Sequence, residues 1–200
     1  MSSKRTLVLV AVVIVVFGLW LSSTYNGLVR LDQATQAQWA QVENVYQRRA
    51  DLVPNLVQTV KGAANFEQQT LTAVTEARAK VGQVTSGAVE NIANNPEAFR
   101  RFEQAQAGLS SALSRLMVVM ERYPELRATQ GFRDLQVQLE SSENRISVER
   151  MRFNEAAQAF NYRRESFPTV LIAGVFGDGF KAKPYFKSQT GAEKAPEVKF

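Results

Sequence analysis

PEAFRRFEQAQAGLSSALSRLMVVMERY (96–123) carries a very regular helical pattern. Its apolar side chains recur at Phe99, Phe102, Ala105, Leu109, Ala112, Leu113, Leu116, Val119, Met120 and Tyr123. Steps of three and four put them in one stripe on one face of an α-helix. Asn95 has the side chain of an N-cap, Pro96 presets the first helical φ, and Glu97 faces the positive end of the helix dipole. Pro124 ends the pattern, because proline lacks the N–H and clashes with the preceding turn. A helix with one apolar face has to bury it against partners, and the flanking sequence supplies them.

Towards the N-terminus, residues 85–95 are rich in Gly, Ser and Asn and read as a turn between long helices. Before the turn a second stripe runs through Leu28, Leu31, Thr35, Trp39, Val42, Val45, Tyr46, Leu52, Val53, Leu56 and Val60. It resumes at Ala63, Leu71, Val74 and Val81. The period of about 3.5 is that of helices packed side by side in coiled-coil fashion. Pro54 interrupts the stripe, which predicts either a kink or a helix restart with Asp51 as cap. Towards the C-terminus, after Gly131, the third stripe runs Phe132, Leu135, Leu139, Ser142, Ile146, Arg150, Phe153, Ala157, Phe160, and Pro168 closes it. Glu76/Lys80 and Glu97/Arg101, four apart, add modest surface support. The fold class is therefore all-α: an elongated, antiparallel, up-and-down helical bundle.

At the N-terminus, Lys4 and Arg5 precede an unbroken apolar run over residues 7–21. That run makes only about 22 Å of helix against a hydrocarbon core of about 30 Å. Thr6 and residues 22–24 extend it, since serine and threonine hydroxyls bond back to helix carbonyls. Trp20 and Tyr25 stand where an interfacial aromatic belt lies. A cleaved signal peptide shares the basic start, but no A-x-A site follows. A buried soluble helix would need a large surrounding core. The reading taken is an uncleaved transmembrane helix followed by the bundle. Basic residues at 4 and 5, with the next at Arg30, place the N-terminus inside and the body outside the cytoplasm. The expected organisation is an anchor over residues 1–25, a bundle over 26–186 and a disordered tail over 187–200.

Composition removes whole classes of chemistry. The chain has no cysteine, hence no disulfide, thiolate nucleophile or lipidated cysteine. It has no histidine, hence neither the commonest general base nor the commonest transition-metal ligand. The net charge of +5 is spread among acidic residues along the helices, and no dense basic block with interleaved aromatics points to nucleic acid. Residues 169–180, TVLIAGVFGDGF, are apolar and glycine-rich, too short to span a bilayer and ill suited to an isolated helix. Val170, Leu171, Ile172, Val175, Phe176 and Phe180 form a candidate interaction patch that packs on the bundle end, touches the membrane surface or meets another copy. Its glycines match neither a P-loop nor a dinucleotide-binding turn.

Several blocks together resemble the LemA family. They are YNGLVRLD (25–32), Trp39, RRADLVPNLVQTVKG (48–62), YPELRATQGFRDLQVQLESSENRI (123–146), RMRFNEAAQAFN (150–161), FPTVLIAGVFG (167–177) and KPYF (183–186). The resemblance implies a small bacterial membrane protein, with an N-terminal transmembrane helix and a helical body outside the bilayer. The body is then periplasmic in a Gram-negative cell. It supplies no enzymatic activity; the family's genes often neighbour those of TPM-domain proteins or membrane zinc proteases, which is association and not mechanism.

Within these blocks Arg48, Arg49 and Asp51 on one helix, and Glu140, Glu143, Asn144, Arg145, Glu149 and Arg150 on another, form the strongest polar cluster. Charges on core positions need partners, because an isolated buried charge costs several kcal/mol. The expectation is an interhelical Arg–carboxylate network that fixes register, with Arg48–Glu143 as its pairing. A carboxylate metal site or acid/base pair is the rival, but the di-iron bundle signature needs Glu-x-x-His and no histidine exists. No catalytic, cofactor-binding or metal-ligating residue is assigned. The expected function is a non-enzymatic membrane-anchored scaffold that contacts lipid through its N-terminal helix and forms homo-oligomers. A regulatory adaptor of a membrane protease or signalling receptor is the alternative.

Overall fold

A computed structural model describes residues 2–61, 67–86, 92–175 and 177–187, all helical, turn or irregular, with no strand among them. Helix α1 spans Ser2–Lys61, α2 Gln68–Ser86, α3 Pro96–Met120, α4 Pro124–Arg127, α5 Gln130–Glu165 and α6 Thr169–Val175. Short 3₁₀ turns at Ile92–Asn94 and Gly177–Phe180 precede α3 and follow α6. Ala63, residues 87–91 of the 85–95 turn, Phe176, the Val175 side chain and tail residues 188–200 lie outside the described residues.

The four long helices run up, down, up and down. Thr35 meets Ala156 while Arg49 meets Glu143, so α1 and α5 are antiparallel. Glu67 meets Arg122 at the far end of α2 and α3, which run antiparallel as well. The stripes read from the sequence face inward and divide the core into three layers along the axis. At the distal end, Leu52, Leu56, Val60, Leu71, Val74, Leu109, Leu116, Phe132 and Leu139 come from four helices. In the middle, Trp39 stands among Phe99, Phe102, Phe153 and Phe186, with ring centroids 5.1–6.1 Å away. Aromatic pairs of this kind contribute about 0.5–1.5 kcal/mol each beyond area burial. At the N-terminal end α2 and α3 have run out, and Leu28, Phe160, Ala173 and Phe180 close the core between α1, α5 and the C-terminal segment.

Helix starts follow side-chain chemistry. Asn95 Oδ1 accepts from the Glu97 and Ala98 amides at 3.0 and 3.1 Å, capping α3. Thr129 Oγ1 accepts from the Phe132 amide and donates to the Leu126 carbonyl at 2.7 Å, capping α5.

Pro54 neither ends α1 nor starts a new helix; α1 is continuous for 60 residues, and Asp51 is an ordinary helical residue accepting from Gln47. Proline at 54 leaves the Ala50 carbonyl, four residues earlier, without its helical donor. Arg78 of α2 reaches across and donates its Nε to that carbonyl at 3.0 Å. The defect in one helix thus becomes a tie to its neighbour.

The body begins where the apolar run ends. Residues 3–20 of α1 are exposed throughout and are long and apolar enough to cross a membrane. Thr24 is only 3% exposed and donates to the Trp20 carbonyl. No linker separates span from bundle.

Candidate functional site: two polar clusters inside the bundle

The first cluster crosses the middle of the bundle. Arg49 falls seven residues after Val42 and three after Tyr46, so helical phase turns it to the core, and it is 1% exposed. Its Nη1 donates to Glu143 Oε1 at 2.7 Å and Ser110 Oγ at 2.8 Å. Its Nη2 donates to Gln106 Oε1 at 2.6 Å and the Gln106 carbonyl at 3.3 Å. The guanidinium also sits over the Tyr46 ring, 5.1 Å from its centroid. Arg49 Nε is the one buried side-chain polar atom without a protein partner among the described residues. One arginine therefore joins α1, α3 and α5, while Glu143, 50% exposed, keeps its carboxylate partly in water.

Arg150 continues the cluster. It donates to the Lys187 carbonyl at 2.9 Å, lies 3.8 Å from Glu103, and covers the Phe186 ring at 4.7 Å. Burial pushes the Glu103 carboxyl up from its ordinary value, against the opposing pull of Arg150 and Lys187. Burial likewise raises Tyr46. Arg49, Glu103, Glu143 and Arg150 line a recess of about 260 Å³. The Arg49 Nη groups are spent on protein acceptors, and the recess holds no nucleophile with an oriented base. The polar groups of this cluster are paired with one another across α1, α3 and α5.

The remaining sequence candidates disperse. Arg48, one residue out of phase, is exposed, so the arginine on Glu143 is Arg49 and not Arg48. Asp51 and Glu140 are exposed and accept from Gln47 and Gln136 of their own helices. Asn144 and Arg145 face solvent, while Glu149 accepts from Gln38 across the α1–α5 seam at 2.8 Å. The 169–180 patch divides: Ile172 and Phe180 are buried, whereas Val170 and Leu171 are exposed. No group of three or more Asp, Glu, His or Cys able to hold a metal occurs among the described residues.

The second cluster was absent from the sequence reading. Residues 181–187 run as an extended strap along α5. Asn161 accepts from the Lys183 amide at 2.8 Å and donates to the Lys183 carbonyl at 2.9 Å. Asn154 grips Phe186 in the same two-point way, both bonds 2.9 Å. A carboxamide carries one acceptor and two donors, so it pairs with a backbone residue as another strand would. Seven helical residues rise about 10.5 Å and three extended ones about 10 Å, so the two grips share one register. Lys183, buried, pairs with Asp32 of α1, donates to Asn94 Oδ1, and lies 4.6 Å from the Phe160 ring centroid. The heptad repeat FN at 153–154 and 160–161 is the signal that could have found it.

Comparison with known proteins adds relatives to this geometry. The sequence model of the LemA family matches residues 38–200. Magnetosome protein MamQ 2 of Paramagnetospirillum magneticum is 27% identical over 194 residues, covering 90% of this chain and 71% of that protein. Magnetosome protein MamQ of Magnetospirillum gryphiswaldense is 26% identical, covering 84% of this chain and 66% of that one. Protein LemA of Metamycoplasma hominis is 21% identical over 74% of this chain and 63% of its own length.

Proposed function

The chain belongs to the LemA family, and from that premise we propose that it is a membrane-anchored, non-enzymatic envelope protein that scaffolds membrane-proximal proteins by associating with copies of itself. The observation that carries the reading is α1, a single helix of 60 residues. Its first third is apolar and bare, and the rest turns one face into the bundle core. A body so joined to a bilayer is held close to its surface, which suits lateral assembly. The charged groups of the two clusters pair across the bundle, Arg49 with Glu143 and Lys183 with Asp32, in keeping with a structural part. Three relatives are named as magnetosome proteins, names that describe where they belong and not a reaction.

The basic flank at Lys4 and Arg5 supports a single-pass topology in the bacterial cell membrane, N-terminus in the cytoplasm and body outside it. Because the chain has no cysteine, single-cysteine variants report topology cleanly. An impermeant maleimide applied to intact spheroplasts is expected to label Gln130→Cys and spare Ser3→Cys; the reverse pattern overturns the orientation. Light scattering of the full-length protein in mild detergent is expected to give a multiple of the protomer mass. A monomer that recovers one defined heterologous partner from native membranes would replace self-assembly with an adaptor role.

A further inference from the structure

The end of the bundle nearest the apolar run carries a surface that the fold leaves uncovered. A hydrocarbon core of about 30 Å started at Thr6 consumes about 20 residues of helix and ends near Tyr25. Leu28 then stands about 5 Å further on, within the headgroup layer. At that height the C-terminal elements are packed on α1: Leu28 touches the cluster of Phe160, Ala173 and Phe180, and the Tyr25 ring meets Phe180 edge-on at 5.5 Å. On the same elements, Phe167 is 81% exposed, Leu171 62% exposed, and Val170 is also bare. Arg30, Arg163 and Lys181, which follow Leu28, Phe160 and Phe180 by two, three and one residues, are exposed, while Arg164 donates to the Phe180 carbonyl; the acidic residues of this stretch are Glu165 and Asp178.

We propose that the turn and first residues of α6, centred on Phe167, Val170 and Leu171, form a second membrane contact: they enter the headgroup–acyl boundary of the bilayer that α1 crosses, with Arg163 and Lys181 at the phosphate level. This rests on reading α1 as a membrane span. The occupant is an anionic phospholipid surface, for two reasons on the molecule itself. The buried side of α6 fixes it at headgroup height, because Thr24 already belongs to the folded body and no linker lets the bundle lift away. The bare side pairs large apolar groups with cations, the combination by which peripheral segments hold on to an interface.

The test uses the full-length protein in nanodiscs of phosphatidylglycerol and phosphatidylcholine, with one nitroxide label per variant at Leu171→Cys, Val137→Cys or Ile14→Cys. Val137 is an exposed apolar residue on α5 and serves as the aqueous reference. The expected result is that a lipid-borne nickel chelate relaxes the labels at positions 171 and 14, whereas a water-soluble chelate relaxes only that at 137. Replacing phosphatidylglycerol by phosphatidylcholine should return the position 171 label towards water. A label at 171 open to the aqueous chelate while that at 14 lies in lipid overturns the contact and leaves the anchor standing. Water at both positions overturns the anchor and the contact with it. Shielding of position 171 from both chelates identifies a second copy as the occupant and also overturns the proposal.

Discussion

Arg78 and Pro54 act as one unit at the scale of single residues, since the proline strands the Ala50 carbonyl that the arginine then satisfies. Arg78→Met is expected to lower stability by about 1–3 kcal/mol, the cost of a buried carbonyl left unpaired. Pro54→Ala restores the helical N–H, so the same arginine substitution should cost far less in that background. A double-mutant cycle by thermal unfolding in detergent reads the difference, and additivity would refute the link. Arg49→Met should cost about 1–3 kcal/mol, because Gln106 and Ser110 lose a charged partner, whereas Arg48→Met should change stability by about 0.5 kcal/mol or less. Equal effects would show that helical phase was misjudged. Glu103 supplies a pH signature. Its carboxyl titrates higher in the folded chain than unfolded, so the native state holds its proton longer and stability falls as pH rises through that interval. Glu103→Gln removes this loss, so its melting temperature relative to the parent should rise between pH 4 and pH 7; a constant difference excludes the mechanism. At this scale the sequence told that an Arg–Glu pair was present but not which arginine. The inward phase of Arg49 follows from Val42 and Tyr46, seven and three residues earlier on the same face.

Among elements, the long helices were legible because a stripe repeated over many turns is hard to produce by accident. The start of α3 was legible as well, from Asn95 as cap, Pro96 and Glu97. The strap over residues 181–187 was not legible, since an extended segment of seven residues has no repeat to count. Its recognition depends on two asparagines in a different element. Those asparagines predict a sharp outcome. Asn161→Leu keeps the size and removes both bonds to the Lys183 backbone, so the Lys183 amide should lose most of its hydrogen-exchange protection while the centre of α5 keeps its own. Undiminished protection at Lys183 would show that the Asp32 pair and ring packing hold the strap unaided. The continuity of α1 was also hidden from the sequence, because the donor that repairs the helix at Pro54 comes from α2, 24 residues further on.

For the whole molecule, the division between span and body can be tested by removal. Residues 3–20 bury nothing against the bundle, so a chain starting at Ser23 should keep its helicity and melt within a few degrees of the full-length protein, as followed by circular dichroism. Collapse to an unfolded spectrum would mean that the bilayer is part of the folding energy. The fold class and the apolar helix were readable from end to end of the chain. Whether copies associate was not, because association depends on which residues stay outside the bundle, and that is settled only once the helices have packed.

The unbroken α1 also makes the protein a lever. From Thr24 to Lys61 the continuous helix rises about 56 Å beyond the apolar segment. A change of 10° in the tilt of the membrane segment, well inside the range that bilayer thickness imposes on such helices, would swing the far tip by about 10 Å. A local thinning or thickening of the lipid is thereby written as a displacement at the end most distant from it, where neighbouring molecules could read it.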